Sequence, residues 1–257
     1  MFLSACVKMC ENFQDVRKIE VVKDSQRVSE RLIEILVSAA ESVIAEKNAF
    51  TVGLSGGSMV DFLCSGFLRR EAKVDLTKWK FFFCDERIVP VHHSESTFGT
   101  YKRKLLTFLP IDEKQFIPVD TSMTPSNAAI DYEEKLRKNF NDRIPVFDVL
   151  LLGMGPDGHT CSLFPGHPLL EERERIVAPI EDSPKEPPRR VTFTFPLLNA
   201  AKLCVFALAG DSKSDMVARI LQNQEDFPAG RVCPLNGTVL WLLDQRAASQ
   251  LEVTLET

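Results

Sequence analysis

Val146-Phe147-Asp148-Val149-Leu150-Leu151-Leu152-Gly153-Met154-Gly155-Pro156-Asp157-Gly158-His159-Thr160-Cys161-Ser162-Leu163-Phe164-Pro165 begins as an apolar run and ends among glycines, a carboxylate and a histidine. An apolar run closed by turn residues suits a parallel strand covered on both faces. In sheets of that kind ligands bind beyond the carboxyl ends of the strands. Gly153, Gly155 and Gly158 permit backbone paths and close approaches that a side chain forbids, so Asp157 and His159 are free to face a ligand. The stretch predicts an α/β fold with a reaction centre at the end of a central strand.

Upstream, Ser29 to Asn48 carries apolar residues at helical spacing, and Phe50 to Leu54 reads as a short strand. Ser55-Gly56-Gly57-Ser58 follows, before the helical stretch Met59 to Arg69. Strand, glycine turn and helix form an arrangement in which backbone N–H groups and the helix dipole converge on an anion. The same residues fit a serine-capped βα turn and, as Gly53-Leu54-Ser55-Gly56-Gly57, the nucleophile elbow of serine hydrolases. An elbow needs several strands before it, and one helix and one strand precede Ser55, so the anion cradle is preferred. Trp79 to Pro90 reads as another buried strand, ending in Asp85-Glu86-Arg87 where a parallel strand meets the ligand edge. Arg87 suits a phosphate, a carboxylate or a developing oxyanion there, and Asp85 suits its orientation or a substrate hydroxyl.

Downstream, Asp182-Ser183-Pro184-Lys185-Glu186-Pro187-Pro188 reads as a proline-stiffened surface loop, and Arg189 to Phe195 alternates like a half-buried strand with two arginines at the mouth. Leu203 to Gly210 is a further strand. Lys213, in the first turn of the helix after it, opposes the dipole and so points to an anion nearby. Thr238 to Leu243 is the last strand, with a short closing helix expected over Asp244 to Gln250.

The gross properties set bounds. A chain of 257 residues with 44% apolar residues suits one α/β domain, taken over residues 25–257, with residues 1–24 as an N-terminal segment of the same domain. A net charge of −5 argues against a nucleic-acid footprint, and no apolar run is long enough to span a bilayer. The first residues carry no basic leader, which points to the cytoplasm. Seven scattered cysteines, Cys6, Cys10, Cys64, Cys84, Cys161, Cys204 and Cys233, fit reduced, mostly buried thiols, and Cys161 reads as a packing residue rather than a nucleophile. The four histidines offer no HExxH and no Cys/His ligand spacing, so neither a metal nor a cofactor is assigned. The sequence leaves oligomeric state open and is compatible with a monomer.

Ser55-Gly56-Gly57-Ser58, Asp85-Glu86-Arg87, Gly153 to Pro165, Arg190-Val191-Thr192 and Gly210-Asp211-Ser212-Lys213 stand in the order of the 6-phosphogluconolactonases, and the chain resembles that family through nearly its whole length. The resemblance implies a three-layer α/β/α modified Rossmann-like fold with a mainly parallel sheet, shared with sugar-phosphate isomerases and deaminases. It implies hydrolysis of a phosphorylated sugar lactone without metal or nucleotide. It also implies His159 as general acid/base with Asp157 and Arg87 beside it, and Ser55, Gly56, Gly57, Ser58, Asp85, Arg190 and Lys213 around the substrate and its phosphate. Two other readings are open. An amino-sugar-phosphate isomerase or deaminase carries a glutamate for ring opening where Phe164 stands here, and a sugar-phosphate sensor keeps the cradle without the chemistry.

Overall fold

The computed structural model describes residues 17–70, 74–140 and 144–252. In chain order it runs β1 (Arg17–Val22), α1 (Ser25–Lys47), β2 (Phe50–Leu54), α2 (Ser58–Arg69), β3 (Trp79–Phe83), β4 (Asp85–Arg87), α3 (Thr97–Leu105), β5 (Phe116–Ile117), α4 (Pro125–Asn139), β6 (Val149–Leu152), β7 (Val177–Ile180), β8 (Arg190–Phe193), α5 (Phe195–Leu198), β9 (Leu203–Leu208), α6 (Ser214–Leu221) and β10 (Thr238–Asp244). Seven strands form one sheet in the order β1-β10-β9-β6-β2-β3-β5, every pair parallel.

Alternate residues of the central strands enter two separate cores. Leu150, Leu152, Cys204, Phe206 and Trp241 face the side covered by Tyr132 and Leu136 of α4 and Met216, Val217 and Ile220 of α6. Val149, Leu151, Val205, Ala207 and Leu242 face Val28, Leu32 and Leu36 of α1 and Met59, Leu63 and Phe67 of α2. Both faces of the sheet are therefore dry, which is why its strands read as unbroken apolar runs. The result is the three-layer α/β/α arrangement expected from the sequence. Among the described residues no helix is long and apolar enough to cross a membrane.

The strand order places the site. From β2 the chain passes through α2 to β3 on one side, and from β6 it proceeds to β9 on the other, so the two adjacent central strands lead in opposite directions. A crevice opens between their carboxyl ends, where Ser55 leaves β2 and Gly153 leaves β6.

Three expectations need correction, and one element is new. The strand expected over Trp79 to Pro90 breaks after Phe83, and β4 joins a second, antiparallel sheet of order β4-β8-β7. A buried carboxylate needs a hydrogen-bond donor, and in the second sheet Asp85 accepts a bond from Ser162 Oγ at 2.8 Å. Residues 190–193 are buried throughout rather than half-buried. Residues 245–250 form turns instead of a closing helix, with Asp244 Oδ1 accepting from Gly210 N and Ala247 N. The edge strand β1, parallel to β10, was not foreseen. Of the cysteines, Cys64, Cys84, Cys161 and Cys204 are buried free thiols and Cys233 is partly exposed. Cys6, Cys10 and the first residues, on which the expectation about a leader rests, lie outside the described residues.

Glu86 binds the second sheet to the first turn of α3. Its Oε1 accepts from Thr97 N at 2.7 Å and Arg87 N at 2.9 Å, and its Oε2 from Phe98 N at 2.7 Å. Burial pushes this carboxyl up to about 7 against the pull of those three donors. The folded protein holds this proton more tightly than the unfolded chain, so the group's stabilising effect is complete below the ordinary value of 4.5 and is lost as pH rises through about 7. Glu86→Gln turns an NH2 donor toward one of the three amides and should cost about 1–3 kcal/mol. Denaturant titrations between those pH values should show the wild type losing stability as pH rises and Glu86→Gln lacking that decline.

Candidate active site

Gly57 adopts φ +64° and ψ −139°, which turns the chain from β2 into α2 and is a conformation side chains disfavour. No side chain caps α2, whereas Asp24, Ser96 and Thr124 cap α1, α3 and α4. The first amides of α2 are thus left to face the crevice, and the serine-capped turn considered from the sequence is not what forms. Tyr101 donates its hydroxyl to Ser55 O at 2.8 Å and fixes the turn from behind. Ser55 Oγ is buried and has no hydrogen-bond partner among the described residues. It therefore meets no histidine, and the Ser–base pair that an elbow nucleophile requires is not formed.

After β6 the chain folds back on itself, with Gly155 N donating to His159 O at 2.9 Å and Gly158 N to Gly155 O at 3.0 Å. This brings Asp157 Oδ1 within 2.5 Å of His159 Nδ1. A methyl group at Gly155 would stand 2.0 Å from both Cε1 and Nδ1 of His159, so the hairpin closes only over a glycine. The imidazole leans on Phe164, with ring centroids 4.7 Å apart. Burial acts to raise the Asp157 pKa, but the bonds from His159 and Lys185 outweigh it and hold the carboxyl at about 2. Asp157 is therefore ionised, Nδ1 carries the hydrogen, and Nε2 keeps its lone pair. Burial is the main influence on His159 itself and lowers its pKa, against the pull of Asp157.

A cleft of about 170 Å³ brings most of the expected residues together: Ser55, Gly56, Gly57, Ser58, Asp85, Arg87, His159 and Lys213 line it. Arg87 spans from β4 to the loop before α3, where Nη1 donates to Glu95 O at 3.0 Å and Oε2 at 3.1 Å. Lys213 donates to Met154 O at 2.7 Å, and burial first, then the neighbouring Lys185, lowers its pKa. Cys161 lines the same cleft, but its bond to Cys84 and its burial push the thiol well up, so no thiolate nucleophile forms.

Two expected residues stand outside the cleft wall. Asp157 lies behind the imidazole, on Nδ1. Arg190, expected at the mouth as a phosphate clamp, is 2% exposed. Its Nε donates to Pro187 O at 2.9 Å, its Nη2 to Lys185 O at 2.8 Å and Glu186 O at 3.2 Å, and its Nη1 to Ser162 Oγ at 3.4 Å. A guanidinium so deep in the fold needs carbonyl partners, and the 185–187 loop supplies them.

Two further residues carry no local sequence signal. Glu86 fixes the backbone of Arg87, and Lys185 lies 3.0 Å from Asp157 Oδ1 and 3.2 Å from His159 Nδ1.

Known proteins of one family resemble this chain in sequence and fold. A sequence model of the glucosamine-6-phosphate isomerase/6-phosphogluconolactonase family matches residues 23–241. A 6-phosphogluconolactonase from Bos taurus is 47% identical over 247 residues, covering 93% of this chain and 96% of that one. One from Homo sapiens is 48% identical over 245 residues, covering 93% and 95%. The structure of 6-phosphogluconolactonase from Trypanosoma cruzi superposes with a TM-score of 0.81 at 27% identity, covering 92% of this chain and 97% of that one.

Gly155→Ala should displace the imidazole without unfolding the protein. Turnover should fall by about 10²-fold while the melting temperature changes little, because the methyl meets a side chain at the surface of a loop. Steady-state kinetics and thermal melting of the purified variant check both halves.

Proposed function

The chain belongs to the glucosamine-6-phosphate isomerase/6-phosphogluconolactonase family, and from that membership and its site we propose that it hydrolyses 6-phospho-D-glucono-1,5-lactone to 6-phospho-D-gluconate, in the oxidative branch of the pentose phosphate pathway. The observation that carries the reading is the sharing of one cleft by an imidazole with a free Nε2 and an uncapped glycine turn beside Lys213. One phosphorylated sugar can then meet an anion site at one end and a base at the other.

In this reading the amides of the 56–58 turn, the hydroxyls of Ser55 and Ser58 and the Lys213 ammonium hold the phosphate. His159 Nε2 takes a proton from a water as its oxygen attacks C1, and Arg87 stabilises the oxyanion that develops on the carbonyl oxygen. When the tetrahedral centre collapses, the C1–O5 bond breaks, and the imidazolium returns its proton to O5. Asp157 holds the ring in the Nδ1–H tautomer through both transfers and stabilises the transient cation. Asp85, fixed by Ser162, is placed to accept a sugar hydroxyl. Holding the remote phosphate directs binding energy to the placement of C1, so truncation of the phosphate lowers turnover as well as affinity.

Phe164 favours hydrolysis over the isomerase or deaminase alternative. An isomerisation relays protons through a carboxylate at this position, and here a buried aromatic ring packs against His159 instead. The sensor alternative leaves unexplained why Asp157 should set the imidazole tautomer so closely.

His159→Ala should retain binding of 6-phosphogluconate and lose about 10²–10⁴ of kcat in an assay corrected for spontaneous lactone opening. Since the base must be neutral and its pKa lies below the ordinary histidine value, kcat/KM of the wild type should hold steady down to that value and fall only at more acid pH. Full turnover in the variant, or ammonia release from glucosamine 6-phosphate by the wild type, would overturn the assignment.

A further inference from the structure

The ammonium of Lys185, the carboxylate of Asp157 and Nδ1 of His159 close a triangle with sides of 3.0, 3.2 and 2.5 Å. This triangle lies on the Nδ1 edge of the imidazole, and the proposed chemistry uses Nε2. We propose that Lys185 is a positioning residue for the lactonase reaction: it shares the Asp157 carboxylate with His159 and keeps the imidazole neutral, with Nε2 open to water. The inference rests on His159 acting as the base.

The physical need for such a cation follows from Asp157. A carboxylate bonded to Nδ1 fixes the tautomer, but it also favours the imidazolium, which has no lone pair to give. A second cation on the same carboxylate oxygen opposes that. It competes for the negative charge and repels a positive ring, while leaving the Nδ1–H bond in place. The charged groups facing His159 divide accordingly. Asp157 and the more distant Asp85 favour the protonated ring, Lys185 disfavours it, and burial acts in the same direction as Lys185. Lys213, across the same cleft, adds positive charge beside Lys185.

The loop that carries Lys185 is held in place for this purpose. Lys185 O accepts from Ser183 Oγ at 2.8 Å and from Arg190 Nη2 at 2.8 Å, and Lys185 N donates to Ser183 Oγ at 3.2 Å. Ser183 N in turn donates to Pro188 O at 3.1 Å. Three successive carbonyls, of residues 185 to 187, therefore turn onto the buried Arg190 guanidinium. Arg190 also reaches Ser162 Oγ, which bonds Asp85 in the cleft wall, and its guanidinium carbon lies 5.5 Å from the centre of the Phe164 ring against which His159 packs. Arg190 thus links the lysine loop, the floor under the imidazole and the cleft wall. A lysine on a loose loop would leave the triangle for solvent; this backbone is tied on both sides of it.

The test compares wild type, Lys185→Met and Lys185→Arg by two readouts: the pH profile of kcat/KM on 6-phosphogluconolactone, and the NMR titration of the His159 ring in the free protein. In Lys185→Met the acid limb of the profile and the His159 titration should move together to higher pH. The loss of kcat/KM should be severalfold greater near about pH 6 than near about pH 8. Lys185→Arg, which keeps the charge, should return both toward wild type. A uniform loss at every pH with an unmoved His159 titration would make Lys185 merely structural and overturn the proposal. So would a rise in KM with the profile intact, which would make it a substrate-binding cation. If Lys185→Met does not fold, Lys185→Gln carries the same expectation. The ring titration needs no turnover, so a failure of His159 as base, seen as an active His159→Ala, is read separately from a failure of Lys185 to govern the imidazole.

Discussion

The bond between Asp157 Oδ1 and His159 Nδ1 is the interaction on which the account of this site depends. It decides which ring nitrogen carries hydrogen and hence which one faces the substrate. It also dictates sequence on every side: Gly155 because a side chain there would enter the ring, and Phe164 because the imidazole needs a face to rest against. The hairpin that creates the bond exists only because β6 ends in glycines at the crevice where β2 and β6 lead in opposite directions. Fold and chemistry meet in that loop.

Around the dyad, charge is arranged against the character of the whole chain. The protein carries a net charge of −5, yet Arg87, Lys213 and Lys185 converge on one small cleft and its rear wall, with Arg190 buried beneath. The buried acids beside them do different work. Asp85 and Glu86 are locked by Ser162 and by the α3 amides, so they set positions without blocking the cleft. A dianionic phosphate entering there meets cations and uncapped amides, while the neutral lactone end meets the imidazole. Opposite ends of one substrate thus find opposite chemistries, which orients it before any bond is broken.

Much of this was legible in the sequence where the signal is local. Phe50–Leu54, Val149–Leu152 and Leu203–Leu208 read as strands because both faces of the sheet are dry, and the Ser55–Ser58 and Gly153–Pro165 stretches read as a site because glycines and polar residues follow those strands directly. What escaped is tertiary. Arg17–Val22 is a partly exposed edge strand with three charges among its first four residues, and it pairs with β10 more than two hundred residues away. Arg190 looked like a residue at the mouth because nothing in Arg189-Arg190-Val191 reveals the three carbonyls that hold it inside. Lys185 looked like part of a stiff surface loop, and its contact with Asp157 crosses 28 residues of sequence. Glu86 passed as one charge among three, although its partners are amides of a helix that begins eleven residues later.

The most direct measurement is a crystal structure of the protein with bound 6-phosphogluconate. The account predicts the phosphate on the amides of residues 56 to 58 and on the Lys213 ammonium, with the C1 carboxylate about 3–3.5 Å from His159 Nε2 and within reach of Arg87. A product bound the other way round, its phosphate against Arg87 and His159 and its carboxylate at the glycine turn, would contradict it.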